Sequence, residues 1–555
     1  MNVVIIGGVA GGASAAARIR RLDEHAQIDV YERSGYISYA NCGLPYYVGG
    51  VIENKEDLTL QTPESFYSRF GIHMHVRHEV TDIDPTTKTV TVKNLETGEV
   101  FRKPYDKLLL SPGARPVIPP FARVETDRLF TLRTVEDTLK IREYADREKP
   151  ATAIVIGGGF IGMEVAENLR HAGLQVTLVE AAPQLMAPFD EDMAAYIHAQ
   201  VRHNGIDLRL QTFVEGLEPD EKEIRVRLKG GQVLSADMAV LAIGVMPETT
   251  LAKKAGLALG VKDSIVVNER METSVPDIYA AGDAVQIRHF VSGQDGLISL
   301  AGPANKQGRV AADNICGKQS RYTGAQGSSI LKLFDMTAAS TGLNVRTARS
   351  QGLDADFVVV SGMNHAGYYP GGRMMTMKVV FEKGTYRLLG AQIIGYEGVD
   401  KRIDVLATAI RARMKGYELT ELDLAYAPPY SSAKDPVNMA GFIMENIRDG
   451  IIRQWHYGDE VPEEAIMLDT RTDEEYSQGH AEGFVHIPVD ELRGRLDELD
   501  RNRPVYVMCQ SGLRSYIACR ILVQEGFDAR NFAGGYGFYQ ALHSEKALPC
   551  GKVMD

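Results

Sequence analysis

Two thiols in this 555-residue chain stand where redox or sulfur chemistry is to be expected. The first, Cys42, lies in Ser38-Tyr39-Ala40-Asn41-Cys42-Gly43-Leu44-Pro45-Tyr46. A thiol followed by Gly and Pro on a loop is a redox group if the loop faces an electron carrier, and a spectator if it points away. Reductases that work through an internal disulfide need two neighbouring cysteines, and Cys42 has no neighbour. Its partner sulfur must come from a substrate, or Cys42 must itself cycle through an oxidised state. The second thiol opens Cys509-Gln510-Ser511-Gly512-Leu513-Arg514-Ser515, between the apolar run Val505 to Met508 and a helical stretch. Converging N–H groups and the helix dipole stabilise a thiolate or persulfide at such a place, and Arg514 adds positive charge. Cys519 is expected to be packing in the following helix, and Cys316 and Cys550 carry no motif. The five cysteines are odd in number and never form C-x-x-C, which suits neither a disulfide framework nor a zinc site, and no metal is expected.

The elements that must position Cys42 begin at the N-terminus. Val3 to Ile6 reads as a buried strand that breaks into Gly7-Gly8-Val9-Ala10-Gly11-Gly12 before a helix from Ala13 to Leu22. A second strand, Ile28 to Tyr31, ends in Glu32, twenty positions after Gly12, where a carboxylate accepts hydrogen bonds from a ribose. The free N–H groups of the helix start would face a pyrophosphate. Val9 occupies the middle glycine position, so a phosphate would approach less closely there. A second unit repeats the pattern: Ile154 to Ile156, then Gly157-Gly158-Gly159-Phe160-Ile161-Gly162, a helix, and Gln175 to Val179 closing on Glu180. One such loop alone is also an ordinary strand-to-helix turn; two complete units imply two nucleotides.

The segment Thr273-Ser274-Val275-Pro276-Asp277-Ile278-Tyr279-Ala280-Ala281-Gly282-Asp283 resembles the late flavin motif of flavoproteins with two dinucleotide-binding domains. Leu110-Ser111-Pro112-Gly113-Ala114 and Ala242-Ile243-Gly244-Val245-Met246-Pro247 resemble the turns that return the chain between those domains. The resemblance implies FAD at the first site, on Gly7 to Gly12, Glu32, Arg33, Ala114 and Asp283, with Asp283 on the ribityl chain. It implies NAD(P)H at the second, on Gly157, Gly159, Phe160, Ile161, Gly162, Glu164, Glu180 and Gly244. Glu180 favours NADH, because a carboxylate repels a 2′-phosphate and Ala181-Ala182 offer no arginine; NADPH stays open.

Ser38-Tyr39-x-x-Cys42 is similar to the single-cysteine branch of that family: coenzyme A disulfide reductases, NADH oxidases and NADH peroxidases. Oxidases and peroxidases of the branch carry a histidine in the first glycine loop, where this chain has Ala10. His365-Ala366-Gly367-Tyr368-Tyr369-Pro370-Gly371 and Tyr426-Ala427-Pro428-Pro429-Tyr430-Ser431-Ser432-Ala433-Lys434-Asp435 resemble segments of the coenzyme A disulfide reductases. The resemblance implies that Tyr368 and Tyr426 reach a partner subunit's cysteine in a homodimer with shared active sites, where a phenol can protonate a leaving thiolate. Interface or core packing is the alternative for both rings. It also implies coenzyme A contacts at Ser14, Arg18, Arg21, Ser38, Asn41, Asn305 and Lys434. A solvated basic face is the alternative for the two arginines, which lie three apart on one helix.

Past Arg448 the sequence is consistent with a rhodanese-like domain: Ala465 to Leu468 closing on Asp469-Thr470-Arg471, then Glu475, Gly479-His480 and Val485-His486-Ile487-Pro488. The loop from Cys509 to Ser515 has the short form associated with sulfur transfer, whereas phosphatases of that fold use a longer one. An inactive scaffold is the alternative.

At 44% hydrophobic and 24% charged, the chain has the balance of a globular protein with three or four domains. A net charge of −12 and no basic block argue against nucleic acid or an anionic membrane as main partner. The apolar start MNVVIIGG is too short for a signal peptide, and a cytoplasmic location is expected. The expected fold is α/β, with two Rossmann-like dinucleotide-binding domains, an α+β dimerisation domain and a C-terminal α/β rhodanese-like domain. The expected limits are 1–149 with 266–322 for FAD, 150–265 for NAD(P)H, 323–447 for dimerisation, and 448–555 for the linker and rhodanese-like part. The expected activity is reduction by NADH of coenzyme A persulfide, polysulfide or coenzyme A disulfide through a mixed disulfide of Cys42 with coenzyme A. An NADH oxidase or peroxidase, and a sulfurtransferase with a regulatory reductase half, are the alternatives.

Overall fold

Apolar runs at residues 2–6 and 152–156 are flanked by strands on both sides, and both become the middle strands of parallel five-stranded sheets. A computed structural model describes residues 1–547, with side chains through Ser544; Cys550 lies outside the described residues. In the first sheet the order is Ile278–Ala280, Lys107–Leu110, Asn2–Ile6, Gln27–Tyr31, His73–His75. Its central strand pairs Ile6 with both Tyr31 and Leu110. In the second the order is Asp207–Arg209, Gln175–Val179, Thr152–Ile156, Met238–Leu241, Leu129–Phe130. Such strands are covered on both faces and so carry unbroken runs of Val, Ile and Leu. Val3, Val4, Ile5, Val155 and Ile156 are all buried. Each sheet is accompanied by a three-stranded antiparallel meander, His78–Asp84 to Val100–Pro104 in one case and Val214–Pro219 to Val233–Ala236 in the other. The two turns expected to join the dinucleotide folds pair with each other as short antiparallel strands, Ala114–Pro116 with Val245–Pro247.

These elements form one compact unit, Met1–Pro183 with Gly205–Gly327. The second unit comprises Gln184–Asn204 and Ser328–Asp555. Its first part is a five-stranded antiparallel sheet in the order Ser329–Leu333, Met336–Gly342, Leu388–Gly395, Met374–Glu382, Ala355–Met363, with helices Val399–Arg411 and Pro436–Arg448. Its second part is a parallel sheet in the order Gln454–Trp455, Ala529–Phe532, Val505–Met508, Ile466–Asp469, Val485–His486.

Gln184–Asn204, inside the stretch 150–265, belongs to the second unit. The reason is a buried charge: Lys378, 2% exposed, needs carboxylates, and Asp190 and Asp192 stand 3.0 Å and 2.5 Å from its Nζ. Gln200 on helix Glu191–His203 donates to Asp335 at 2.8 Å. Contacts also join the two parts of the second unit. His456 Nε2 lies 2.9 Å from Asp356 with its ring stacked on Phe357, and Ser361 Oγ donates to Gly534 O at 3.3 Å. Among the described residues no helix is long and apolar enough to cross a membrane.

Candidate active site

The two glycine turns are built alike, bond for bond. Gly7 N–H donates to Tyr31 O and Ser111 N–H to Ile6 O in the first; Gly157 N–H donates to Val179 O and Ala242 N–H to Ile156 O in the second. Gly7 and Gly157 hold φ of +98° and +112°, the left-handed region that glycine enters without penalty. At Gly12 and Gly162 a Cβ would collide with the carbonyls of Gly7 and Gly157, so no other residue lets the helix start this close to the strand. Helices Ala10–Leu22 and Phe160–His171 follow. Val9 and Gly159, at the middle positions, both have negative φ, −106° and −83°, so neither needs the left-handed conformation that favours glycine.

Each terminal glutamate closes back on its own turn. Glu32 accepts from Gly8 N–H and Ser34 N–H, both at 2.9 Å. Glu180 accepts from Gly158 N–H at 2.6 Å and Ala182 N–H at 2.7 Å. Beside the first turn is a cavity of ≈270 Å³ to which Gly7, Glu32, Arg33, Thr81 and Lys254 contribute. A glycine turn, a carboxylate at the strand end and a cavity beside them suit a dinucleotide. Asp283 pairs with Arg133 at 2.9 Å, and Arg133 also donates to Ala114 O. Burial is the main influence on the Asp283 carboxyl and raises it, with Arg133 opposing.

Cys42 stands on the turn Asn41–Gly43, and the loop before it is tied to the first glycine turn. Ser38 N–H donates to Gly8 O at 2.9 Å, and Ser38 takes φ +42°, an uncommon conformation for a residue with a side chain. Ala40 N–H donates to Leu58 O. Cys42 is exposed by area, yet enough protein surrounds it that loss of hydration is the largest influence on its thiol, and pushes it up. Glu164 and Asp283 add to that rise and Arg133 opposes it. Glu164 is itself raised to about 7, by burial first and Glu167 second.

On the far side of the first helix a cavity of ≈370 Å³ is lined by Ser14, Arg18, Arg21, Ser38 and Asn305, five of the seven expected coenzyme A contacts. Arg69 and Arg309 join them, and neither was marked by a motif. Arg18 is paired with Asp313 at 2.8 Å; Ser14 hydrogen-bonds Asn305. Asn41 is not among the lining residues and leaves a buried Oδ1 without a partner. Lys434 lies in the other unit, on a different cavity. Tyr368 and Tyr426, also in that unit, meet across 58 residues of chain with their hydroxyls 2.9 Å apart. They are 77% and 47% exposed, so core packing does not account for them. The hydrogen bond from Tyr368 is the main cause that raises the Tyr426 phenol.

Cys509 ends the strand Val505–Met508 under the helix Leu513–Gln524 and is fully buried. Its Sγ accepts from Gly512 N–H at 3.2 Å and lies 3.2 Å from Ser515 Oγ. Arg514 is held by Glu475 at 2.7 Å, and the pairing draws Glu475 down to about 2. Below the loop, Arg471 is buried with Asp469 and lies 3.8 Å over the Tyr536 ring. Cys519 is buried in the core of this region, and burial raises its thiol; Cys316 is half-buried against the first unit's core.

Residues 1–308 match the pyridine nucleotide-disulphide oxidoreductase family. The chain belongs to that family. Residues 328–436 match the dimerisation domain of the same family, and 458–541 match the rhodanese-like domain. A coenzyme A disulfide reductase of Staphylococcus haemolyticus (strain JCSC1435) is 37% identical over 442 residues, 80% of this chain and 98% of the relative. Among solved structures, the reduced Bacillus anthracis CoADR-RHD is 46% identical with a TM-score of 0.95, covering 98% of both chains. An NAD-dependent persulfide reductase from A. fulgidus is 39% identical with a TM-score of 0.91, covering 97% of this chain and all of that one. The pyridine nucleotide-disulphide oxidoreductase fold therefore accounts for the paired glycine turns, and the rhodanese-like domain for the loop at Cys509. Arg133, the partner of Asp283, carried no sequence signal, because an arginine 150 residues from its carboxylate is marked by no spacing.

Proposed function

We propose that the protein is an NADH-driven flavoprotein reductase of coenzyme A persulfide and coenzyme A disulfide, with Cys42 as the redox thiol and Cys509 as a sulfane-sulfur carrier. The observation that carries this reading is a solitary thiol, Cys42, on a loop bonded to the first glycine turn, with Ser38 of that loop also lining the arginine-bordered cavity. FAD would be held by the turn Gly7 to Gly12, Glu32 and Asp283, and NADH by Gly157 to Gly162 and Glu180. FAD bound there supplies the two-electron relay between nicotinamide and sulfur.

In this scheme the Cys42 thiolate attacks the carrier sulfur of coenzyme A persulfide. The Cys42–coenzyme A disulfide forms, the S–S bond of the persulfide breaks, and hydrosulfide leaves. NADH and one proton then reduce the mixed disulfide to two thiols and NAD⁺. The four arginines of the cavity suit the phosphates of coenzyme A. The exposed Tyr368–Tyr426 pair is read as the proton donor to the departing thiolate of a second subunit. Gly512 N–H and Ser515 would stabilise a persulfide on Cys509.

The test is anaerobic NADH oxidation by the FAD-loaded enzyme with coenzyme A disulfide, coenzyme A persulfide and polysulfide. Cys42→Ser should lose about a hundredfold or more on the coenzyme A acceptors, as expected when a nucleophile is removed. Cys509→Ser should fall on polysulfide while keeping the disulfide rate. A Cys42→Ser protein that oxidises NADH at the wild-type rate would sink the scheme. Rapid turnover with oxygen or peroxide in place of the sulfur acceptors would favour an oxidase or peroxidase.

A further inference from the structure

A buried polar side chain behind the Cys509 loop has no part in the chemistry so far. Asn531, on strand Ala529–Phe532 beside Val507, is 7% exposed. Its Nδ2 donates to Gly512 O at 3.2 Å, which fixes the amide orientation, and its Oδ1 is buried with no partner. Leaving an acceptor unsatisfied is costly, so an apolar residue of similar size would suit this position better if packing were all that mattered. What the amide does can be read from the hydrogen bonds around Gly512.

Gly512 O accepts from Asn531 Nδ2 and from Tyr516 N–H at 3.1 Å, and it also lies 3.2 Å from Ser515 Oγ. That same Ser515 Oγ lies 3.2 Å from Cys509 Sγ. A serine hydroxyl has one proton and serves one acceptor at a time. Asn531 and Tyr516 together fill the two lone pairs of Gly512 O, which leaves the Ser515 proton for sulfur. Asn531 also anchors Gly512, at φ +98°, where its own N–H points at Sγ.

We propose that Asn531 is a positioning residue for sulfur chemistry at Cys509, acting through Gly512 to commit the Ser515 hydroxyl proton to the sulfur. Without it, the Ser515 hydroxyl turns to the vacated lone pair of Gly512 O, and Cys509 loses a donor. This inference rests on the reading of Cys509 as the sulfur carrier.

The experiment follows iodoacetamide alkylation of Cys509 against pH in the full-length FAD-loaded enzyme, resolved by mass spectrometry of the Cys509 peptide. Asn531→Leu should slow alkylation about tenfold at pH 7 and move the half-maximal pH upward by about one unit, as loss of one hydrogen bond to an anion implies. Ser515→Ala should do the same. The double variant should go little beyond Ser515→Ala alone, because both changes remove the same donor. An unchanged pH midpoint in Asn531→Leu, or full additivity with Ser515→Ala, would overturn the proposal. Trp455, the single tryptophan, is buried against Phe532, and its emission reports whether the domain is folded. If Asn531→Leu fails that check, Asn531→Ser, too short to reach Gly512 O, takes its place with the same expected and overturning results. The readout needs neither NADH nor coenzyme A, so its failure leaves the reading of Cys42 standing, and failure of that reading leaves this measurement interpretable.

Discussion

At the scale of single residues, Cys42 sits among charges that work against one another. Burial and Glu164 hold its thiol up and Arg133 draws it down. Removing the Glu164 charge should therefore favour the thiolate: Glu164→Gln is expected to lower the pH midpoint of Cys42 alkylation and to speed the reaction at pH 7 several-fold. Glu164 also bears on stability. Its folded value of about 7 lies above the ordinary 4.5, so across that window the folded state binds more protons than the unfolded one. Stability then falls as pH rises from about 4.5 to about 7, and Glu164→Gln should flatten this slope in a thermal-melt series. Glu475 has the opposite sign. Held near 2 by Arg514, it contributes above its ordinary value of 4.5 and its contribution is lost as pH falls toward 2. Both partners are about one-third exposed, so the pair adds only ~0–1 kcal/mol. The two thiols stood out in the sequence because each is framed by local residues. Arg514 was expected to add its charge to Cys509; Glu475 shares that charge, and 39 residues separate the two.

At the scale of elements, the paired glycine turns give a test in which each site is its own control. A Cβ at Gly12 or Gly162 meets a carbonyl of the same turn, so alanine at either must push its helix away from the strand. Gly12→Ala should yield protein with little bound flavin, seen as loss of the flavin's visible absorbance in the purified protein. Gly162→Ala should retain flavin while its KM for NADH rises about tenfold or more. Both turns were legible because their chemistry is local: a strand of apolar residues, glycines at fixed offsets and a carboxylate at the next strand end. Val9 stands at the middle glycine position with φ at −106°, so the turn forms without glycine there. The arginine-bordered cavity was only partly legible. Arg18 and Arg21 share a helix with Ser14, whereas Arg69 and Arg309 arrive from helices Pro63–Phe70 and Ala301–Ile315.

At the scale of the whole molecule, the proposal of an active site completed by a second copy rests on the exposed Tyr368–Tyr426 pair and the matched dimerisation domain. Mixed dimers can test this. One subunit would carry Cys42→Ser and the other Tyr368→Phe with Tyr426→Phe, each inactive as its own dimer. If sites are shared, the mixed dimer has one intact site in two and should regain about half of wild-type activity. If each subunit is self-sufficient, mixing restores nothing. What sequence could not reveal at this scale is the placement of Gln184–Asn204. Nothing local separates helix Glu191–His203 from the dinucleotide fold on either side of it; its tie is to Lys378, nearly two hundred residues later.

That displaced helix sets a waiting time during synthesis. Its Tyr196 ring stands 6.4 Å from Phe538 on helix Gly535–Ala547, among the last described residues. At the usual ~5–20 residues per second, the 331 residues from Asn204 to Gly535 take roughly 15–70 s to leave the ribosome. For that interval the part of Glu191–His203 that meets Phe538 lacks its last neighbour, although Asp335 and Lys378, its other partners in the second unit, are made earlier. The N-terminal unit is thus free to form early, and a helix emitted from its middle gains the last of its neighbours only once the chain is nearly finished.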